Sequence, residues 1–261
     1  MKKITFISLL WVCFTGCQTK PYEGITIATA ANMQFAMQAL TKAFKQKFKI
    51  DCRVVVGSSG KLTAQIKEGA PYQVLVSADM KYPQTLYKAG LSSAPKTYAW
   101  GKLVLWTQKP DLKLHLGTLT QQGIRHLAIA NPKTAPYGAA AVAVLKQQGV
   151  YDQIKPKLVY GESIAQTNQF IISQTADVGF TAKAVVLSPR LKNKGKWIDI
   201  APTLYPPIAQ GIAVILPKGK QHKVEVQRNL ENAKAFEKFL FTPAAQHILQ
   251  QYGYTTRSLV K

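Results

Sequence analysis

The sequence predicts an α/β fold in two lobes with a ligand cleft between them, and three observations carry that prediction. Short β-rich runs alternate with helical patterns along the chain, as in βα units stacked on a mainly parallel sheet. Four of the strands end in small, hydroxyl or amide residues just where a helix begins. Two segments, near Ala99-Trp100 and from Pro202 to Pro207, read as crossings between lobes, which makes the first lobe discontinuous: residues 25–99 plus 203–261, with the second lobe at 100–202. A chain of 261 residues is long enough for two medium domains of this kind.

The first segment is an address. Lys2-Lys3 is followed by an apolar run from Ile4 to Phe14 and then by Thr15-Gly16-Cys17. That run is too short to span a bilayer, and a basic start, an apolar stretch and small residues before a cut describe a secretory signal. A Cys at the cut resembles the lipobox of bacterial lipoproteins, although Phe14 stands where such motifs carry an aliphatic residue. The expectation is a signal peptide at 1–16, a diacylated Cys17 as mature N-terminus and a linker at 17–24. An ordinary signal peptide cut nearby is the alternative. With Cys17 acylated, Cys52 has no partner, so no disulfide supports the fold; Cys52 reads as an inert thiol in a strand.

The elements follow in order. Ile25 to Ala30 is the first strand, and Asn32 to Phe48 a helix with Met33, Met37, Leu40, Phe44 and Phe48 on one stripe and Asn32 as its N-cap. Arg53 to Val56 is a strand, Gly57-Ser-Ser-Gly60 a turn, and Lys61 to Glu68 a helix closed by Gly69. Val74 to Ser77 is a buried strand, with a short helix from about Pro83 to Gly90. In the second lobe, strands are expected at Leu103–Trp106, His126–Ala130, Leu158–Tyr160, Val178–Thr181 and Trp197–Ile200, with helices at Gly138–Gln148 and Ala165–Thr175. The chain returns through a strand at Gly211–Leu216 and closes with helices at Leu230–Phe241 and Pro243–Tyr252, the last capped by Thr242 with Pro243 in its first turn.

Charge and composition narrow the chemistry. Lys and Arg number 34 against 12 Asp and Glu; losing Lys2 and Lys3 with the signal leaves 32 against 12, a formal +20. That excess points to an anionic partner without choosing among nucleic acid, membrane and small oxyanion. The basic stretches Lys42–Lys49 and Arg190–Lys196 carry no nucleic-acid module and read as solvated faces. His115, His126, His222 and His247 lack metal-ligand spacing, and no HExxH occurs. Ser58-Ser-Gly-Lys61 matches S-x-x-K, but the S-D-N and K-T-G elements of penicillin-recognising enzymes are missing. The same stretch is no P-loop, because Val55 and Leu62 stand at required Gly and Ser/Thr positions. The chain therefore reads as a binding protein rather than an enzyme, with no cofactor.

What remains are the four helix starts, at Ala30-Ala-Asn32, Gly57-Ser-Ser-Gly60, Ala135-Pro-Tyr-Gly138 and Gly161-Glu-Ser-Ile-Ala165. A helix start offers free N–H groups and the positive end of a dipole, so four that converge would cradle a dianion without formal positive charge. In open α/β sheets, such loops lie at the carboxyl ends of strands, where ligands bind. Taken one at a time, each is also what N-capping and turn formation alone would produce.

The residues Ile27-Ala-Thr-Ala-Ala-Asn-Met33, Gly57-Ser-Ser-Gly-Lys-Leu62 and Ile66-Lys-Glu-Gly-Ala-Pro-Tyr-Gln-Val-Leu-Val-Ser-Ala-Asp79 resemble the periplasmic molybdate-binding proteins of ABC importers. Asn131-Pro-Lys-Thr-Ala-Pro-Tyr-Gly138, Ala176-Asp-Val-Gly-Phe-Thr-Ala182, Phe239-Leu-Phe-Thr-Pro-Ala-Ala245 and Tyr252-Gly-Tyr254 continue the likeness in order and spacing, from about residue 25 to 256. The resemblance implies a type II periplasmic-binding-protein-like fold that closes around molybdate or tungstate. It also implies a monomer in the periplasm or cell envelope, anchored through Cys17 and delivering its ligand to a membrane permease. Carried over by motif, Asn32 gives its side-chain amide and backbone N–H, Ser59 its hydroxyl and N–H, and Tyr137 and Ile164 backbone N–H groups, with a contact from Ala31. The metal is held only through its oxygens. One branch of the family has Ser in place of Asn32 and a further Tyr ligand after the Gly-Phe-Thr strand. This chain has Thr181-Ala182-Lys183 there, which leaves the fifth contact open. Another oxyanion such as sulfate, which also seeks donors, is the alternative ligand.

Overall fold

Residues 23–217 and 223–256 are described by a computed structural model of the chain. The expected signal peptide 1–16, Cys17, most of the linker and His222 lie outside them. The first strand, β1 (Ile25–Ala30), is buried along nearly its whole length, as a strand covered on both faces must be. A short 3₁₀ turn at Ala31–Met33 leads into α1 (Gln34–Phe48), whose Met37, Leu40 and Phe44 face the core and whose end turns on Lys49 in the left-handed region. Then come β2 (Cys52–Gly57), α2 (Ser59–Lys67), β3 (Val74–Ser77), α3 (Lys81–Lys88) and β4 (Lys96–Gly101). After the single residue Lys102 the chain builds β5 (Leu103–Thr107), β6 (Leu127–Ala130), α4 (Pro136–Gln147), α5 (Tyr151–Ile154), β7 (Leu158–Gly161), α6 (Ile164–Ile172), β8 (Val178–Ala182), α7 (Lys183–Val186) and β9 (Lys196–Asp199). It returns as β10 (Ile208–Val214) and ends with α8 (Lys223–Leu240) and α9 (Pro243–Gln251). Thr242 caps α9, accepting from Ala245 N, with Pro243 at its first position as expected.

Two five-stranded sheets result, in the orders β2-β1-β3-β10-β4 and β7-β6-β8-β5-β9. The expectation of a mainly parallel sheet is corrected here, because each sheet is mixed. β1 runs parallel to β2 and β3, but β10 lies antiparallel to both its neighbours; β6 runs parallel to β7 and β8, but β5 is antiparallel to β8 and β9. The reversed strands are the ones that cross between sheets, so each enters its new sheet from the opposite end. β4, not foreseen as a strand, holds Trp100 and Gly101 in the first sheet through the pairing of Gly101 with Ile208. The short helices α5 and α7 were also not foreseen.

Packing follows the two sheets. Lobe one buries β1, α1, α8 and α9 around Phe44, Phe236 and Phe239, whose rings stack tilted or edge-on at 5.2–6.3 Å. Lobe two buries β5, β6 and β8 with α4 and α6, around Trp106, Tyr137 and Phe180. A smaller cluster beneath α2 and α3 holds Leu62, Ile66 and Leu86.

Candidate oxyanion-binding site

The parallel strands β1, β2, β3, β6 and β7 all point their carboxyl ends at one small cavity. Ala31, Asn32, Ser59, Tyr137 and Ile164, the five residues expected from sequence, all line it, joined by Ser58, Ala78 and Ala135. No lining residue is charged. Ala30 and Pro136 complete the lining, and all ten but the half-buried Pro136 are buried, with Asn32 and Ser59 only 1% exposed.

Helix geometry explains the donors. α2 and α4 begin two residues earlier than the sequence patterns predict, and this places Ser59 and Tyr137 in first turns. Ile164 opens α6, and Ala31 and Asn32 open the 3₁₀ turn before α1. First-turn N–H groups have no acceptor within their own helix, so four such turns bring unpaired donors to one cavity. α4 can approach the end of β6 only because residue 138 is Gly, since a Cβ there would collide with the Ala130 carbonyl.

Side chains refine the picture and correct part of it. Ser58, not Ser59, is the N-cap of α2, its Oγ accepting from Lys61 N at 3.4 Å. Ser59 Oγ accepts from Ala78 N at 3.0 Å, which leaves its hydroxyl proton free. Asn32 is not the cap of α1: that position is Met33, with no side-chain capping bond. Instead Asn32 Nδ2 donates to Gln210 Oε1 at 2.8 Å and to the Tyr254 hydroxyl at 2.9 Å. The loop suspected of a fifth contact stays away. Thr181 Oγ1 donates to Asn168 Oδ1 at 2.5 Å, and Lys183 Nζ pairs with Asp199 at 2.7 Å. Sequence reasoning missed Ser58 and Ala78 as lining residues. The capping preference of Ser before a helix was the available signal for the first, and the second is brought in only by the pairing of β1 with β3.

The surroundings keep the cavity neutral. Burial pushes the hydroxyls of Tyr98, Tyr137 and Tyr254 well above the ordinary tyrosine range, so all three stay protonated. Glu162, two positions before the lining residue Ile164, is half exposed and pairs with Lys61 of the other lobe at 3.0 Å. Two further bonds join the lobes beside it, Gly60 N to Thr134 O at 2.9 Å and the Tyr82 hydroxyl to Lys133 O at 3.0 Å. No group of three or more His, Cys, Asp or Glu gathers among the described residues, and no helix among them is long and apolar enough to cross a membrane.

The chain is similar to known proteins. Residues 25–255 match the family model described as bacterial extracellular solute-binding protein. The molybdate-binding protein ModA of Azotobacter vinelandii is 38% identical over 233 residues, covering 88% of this chain and 89% of the relative. Its namesake from Rhodobacter capsulatus is 37% identical over 234 residues, covering 89% and 88%. The solved structure of the Azotobacter vinelandii periplasmic molybdate-binding protein superposes with a TM-score of 0.80 at 35% identity, covering 90% of this chain and all of the other. With its two mixed sheets and interlobe cavity, the chain belongs to the bacterial extracellular solute-binding protein family.

Proposed function

We propose that this protein captures molybdate, and with it tungstate, outside the cytoplasm and delivers it to an ABC importer without chemical turnover. The observation that carries the reading is the convergence of four helix starts from both lobes on one buried cavity that contains no charged side chain. Molybdate and tungstate are tetrahedral dianions whose oxygens only accept at pH 7, and unpaired N–H and O–H donors suit such a ligand. Phosphate carries a proton at that pH, and no carboxylate lines the cavity to receive it. An unpartnered O–H should cost phosphate roughly 1–3 kcal/mol, about ten- to a hundredfold in affinity. Sulfate is a fellow acceptor-only dianion, and its shorter bonds distinguish it by fit to the cavity. The named molybdate-binding relatives support molybdate as the cargo.

The test is calorimetric titration of the mature protein with molybdate, with sulfate and phosphate as competitors. One ion per chain and a clear preference for molybdate are expected. Tighter binding of sulfate or phosphate would sink the specificity assignment. The anchor at Cys17 is a separate matter of acylation in the native host, read by mass spectrometry of the membrane fraction.

A further inference from the structure

Gly60 is a glycine that its own backbone does not require. Read as a turn residue in the sequence, it stands second in α2, within right-handed helix, and is not among the glycines whose φ is positive. Glycine in a helix is less stable than alanine, because it has more backbone freedom to lose. The reason for it lies outside the helix, and the other lobe supplies it. A Cβ built at residue 60 would stand 2.8 Å from the Tyr82 hydroxyl, 3.0 Å from Thr134 Cα and 3.1 Å from Thr134 Cβ. Tyr82 belongs to α3 of the same lobe, whereas Thr134 lies between β6 and α4 of lobe two. The space that a methyl group would need is taken from both sides.

The missing side chain permits two hydrogen bonds between the lobes. Gly60 N donates to Thr134 O at 2.9 Å, and the Tyr82 hydroxyl donates to Lys133 O at 3.0 Å, so α2 and α3 hold two consecutive carbonyls of lobe two. That segment is itself tied down. The N–H groups of Thr134 and Ala135 return to Asn131 O at 3.2 and 2.8 Å, and Lys133 N bonds to Asn131 Oδ1 at 3.0 Å. The next residues along the chain are walls of the cavity, Ser59 before Gly60 and Ala135 after Thr134. A backbone-to-backbone contact one residue behind each wall thus fixes the distance between them. We propose that Gly60 is a positioning residue that sets how closely the two lobes approach across the bound oxyanion, with Tyr82 as its partner in holding the closed form. The proposal rests on the reading that an oxyanion occupies this cavity.

The test compares the wild-type mature protein with Gly60→Ala, Tyr82→Phe and the double variant, each titrated with molybdate, followed by stopped flow and melted without ligand. In Gly60→Ala the methyl group displaces the Tyr82 hydroxyl from Lys133 O and presses on the Thr134 backbone, so affinity should fall about ten- to a hundredfold. The loss should appear as release faster by about that factor with capture little changed, because the contact forms only when the lobes meet. The ligand-free variant should melt no earlier than wild type, since alanine suits a helix better than glycine. Tyr82→Phe alone gives up one bond and should weaken binding about two- to tenfold. In the Gly60→Ala background the same change should cost nothing further or regain part of the loss, the hydroxyl having already left its partner. Unchanged affinity in Gly60→Ala, a loss carried by slower capture, or a Tyr82→Phe effect of equal size in both backgrounds would overturn the proposal. So would a ligand-free Gly60→Ala protein that melts markedly earlier, which marks a merely structural role. Failure of the wild-type protein to bind molybdate would overturn the functional reading, and the proposal with it.

Discussion

Ser59 illustrates how much one hydroxyl can decide. Its oxygen is taken by Ala78 N at 3.0 Å, and the residue is buried, so its proton has the cavity as its remaining direction. Ser59→Ala removes that donor and also leaves the Ala78 N–H without its acceptor. Molybdate affinity should fall about ten- to a hundredfold, a loss of roughly 1.4–3 kcal/mol, while the protein melts only slightly earlier. Titration alongside a thermal melt separates the two effects, and wild-type affinity in a folded variant would remove Ser59 from the site. Residue identity alone brought both Ser59 and Asn32 to the cavity lining but misjudged Asn32 as the cap of α1. A capping role for Asn32 is the local expectation, yet its amide is held by Gln210 and Tyr254, which lie 178 and 222 positions away in sequence. Cys52 met its expectation of an inert thiol: burial, with Asp51 adding to it, pushes its pKa up to about 12.

At the scale of elements, the βα succession was legible because each strand and helix announces itself by local period and by the residues that cap or end it. The order of strands was not, since β5 and β10 take their antiparallel places only after crossing between sheets. Asp177 ties one such sheet together. It accepts from the N–H groups of Arg125 and His126, just before β6, at 2.7 and 2.8 Å, and pairs with Lys109 at 2.5 Å. Burial alone would raise its pKa, but the Lys109 ammonium and the two N–H groups outweigh burial and hold it below the ordinary carboxylate range. A carboxyl whose pKa is depressed by folding adds stability above its unfolded pKa and loses it as pH falls through the folded value. Asp177→Asn should therefore cost roughly 2–3 kcal/mol at neutral pH. Urea unfolding should show that deficit shrinking as the pH drops below the carboxylate range; a deficit independent of pH would contradict the assigned role.

The whole molecule adds closure. Lys61–Glu162, Gly60 N–Thr134 O and Tyr82–Lys133 O each join one lobe to the other. The ion pair is half exposed, so its coupling should be small, about 0.2–1 kcal/mol, and should fade as salt screens it. A double-mutant cycle of Lys61→Ala and Glu162→Ala, read as the rate of molybdate release at low and high salt, measures it directly. Coupling above that range, or coupling that survives high salt, would mean that the pair is shielded from solvent at closure. The excess of basic residues falls into place at this scale as well. None lines the cavity, so the net charge acts on the approach of an anion and its surroundings rather than on its binding.

The two-lobed α/β class and the turns that line the cavity are legible in the residues alone, because helix starts, capping residues and strand ends are written in a few neighbouring positions. How those turns are held depends on long-range contacts. Buried amides choose their partners by three-dimensional proximity, so the chain from Ala78 and Ile208 through Gln210 to Asn32 and Tyr254 exists only once β10 has returned to lie beside β3 and the C-terminal segment has docked.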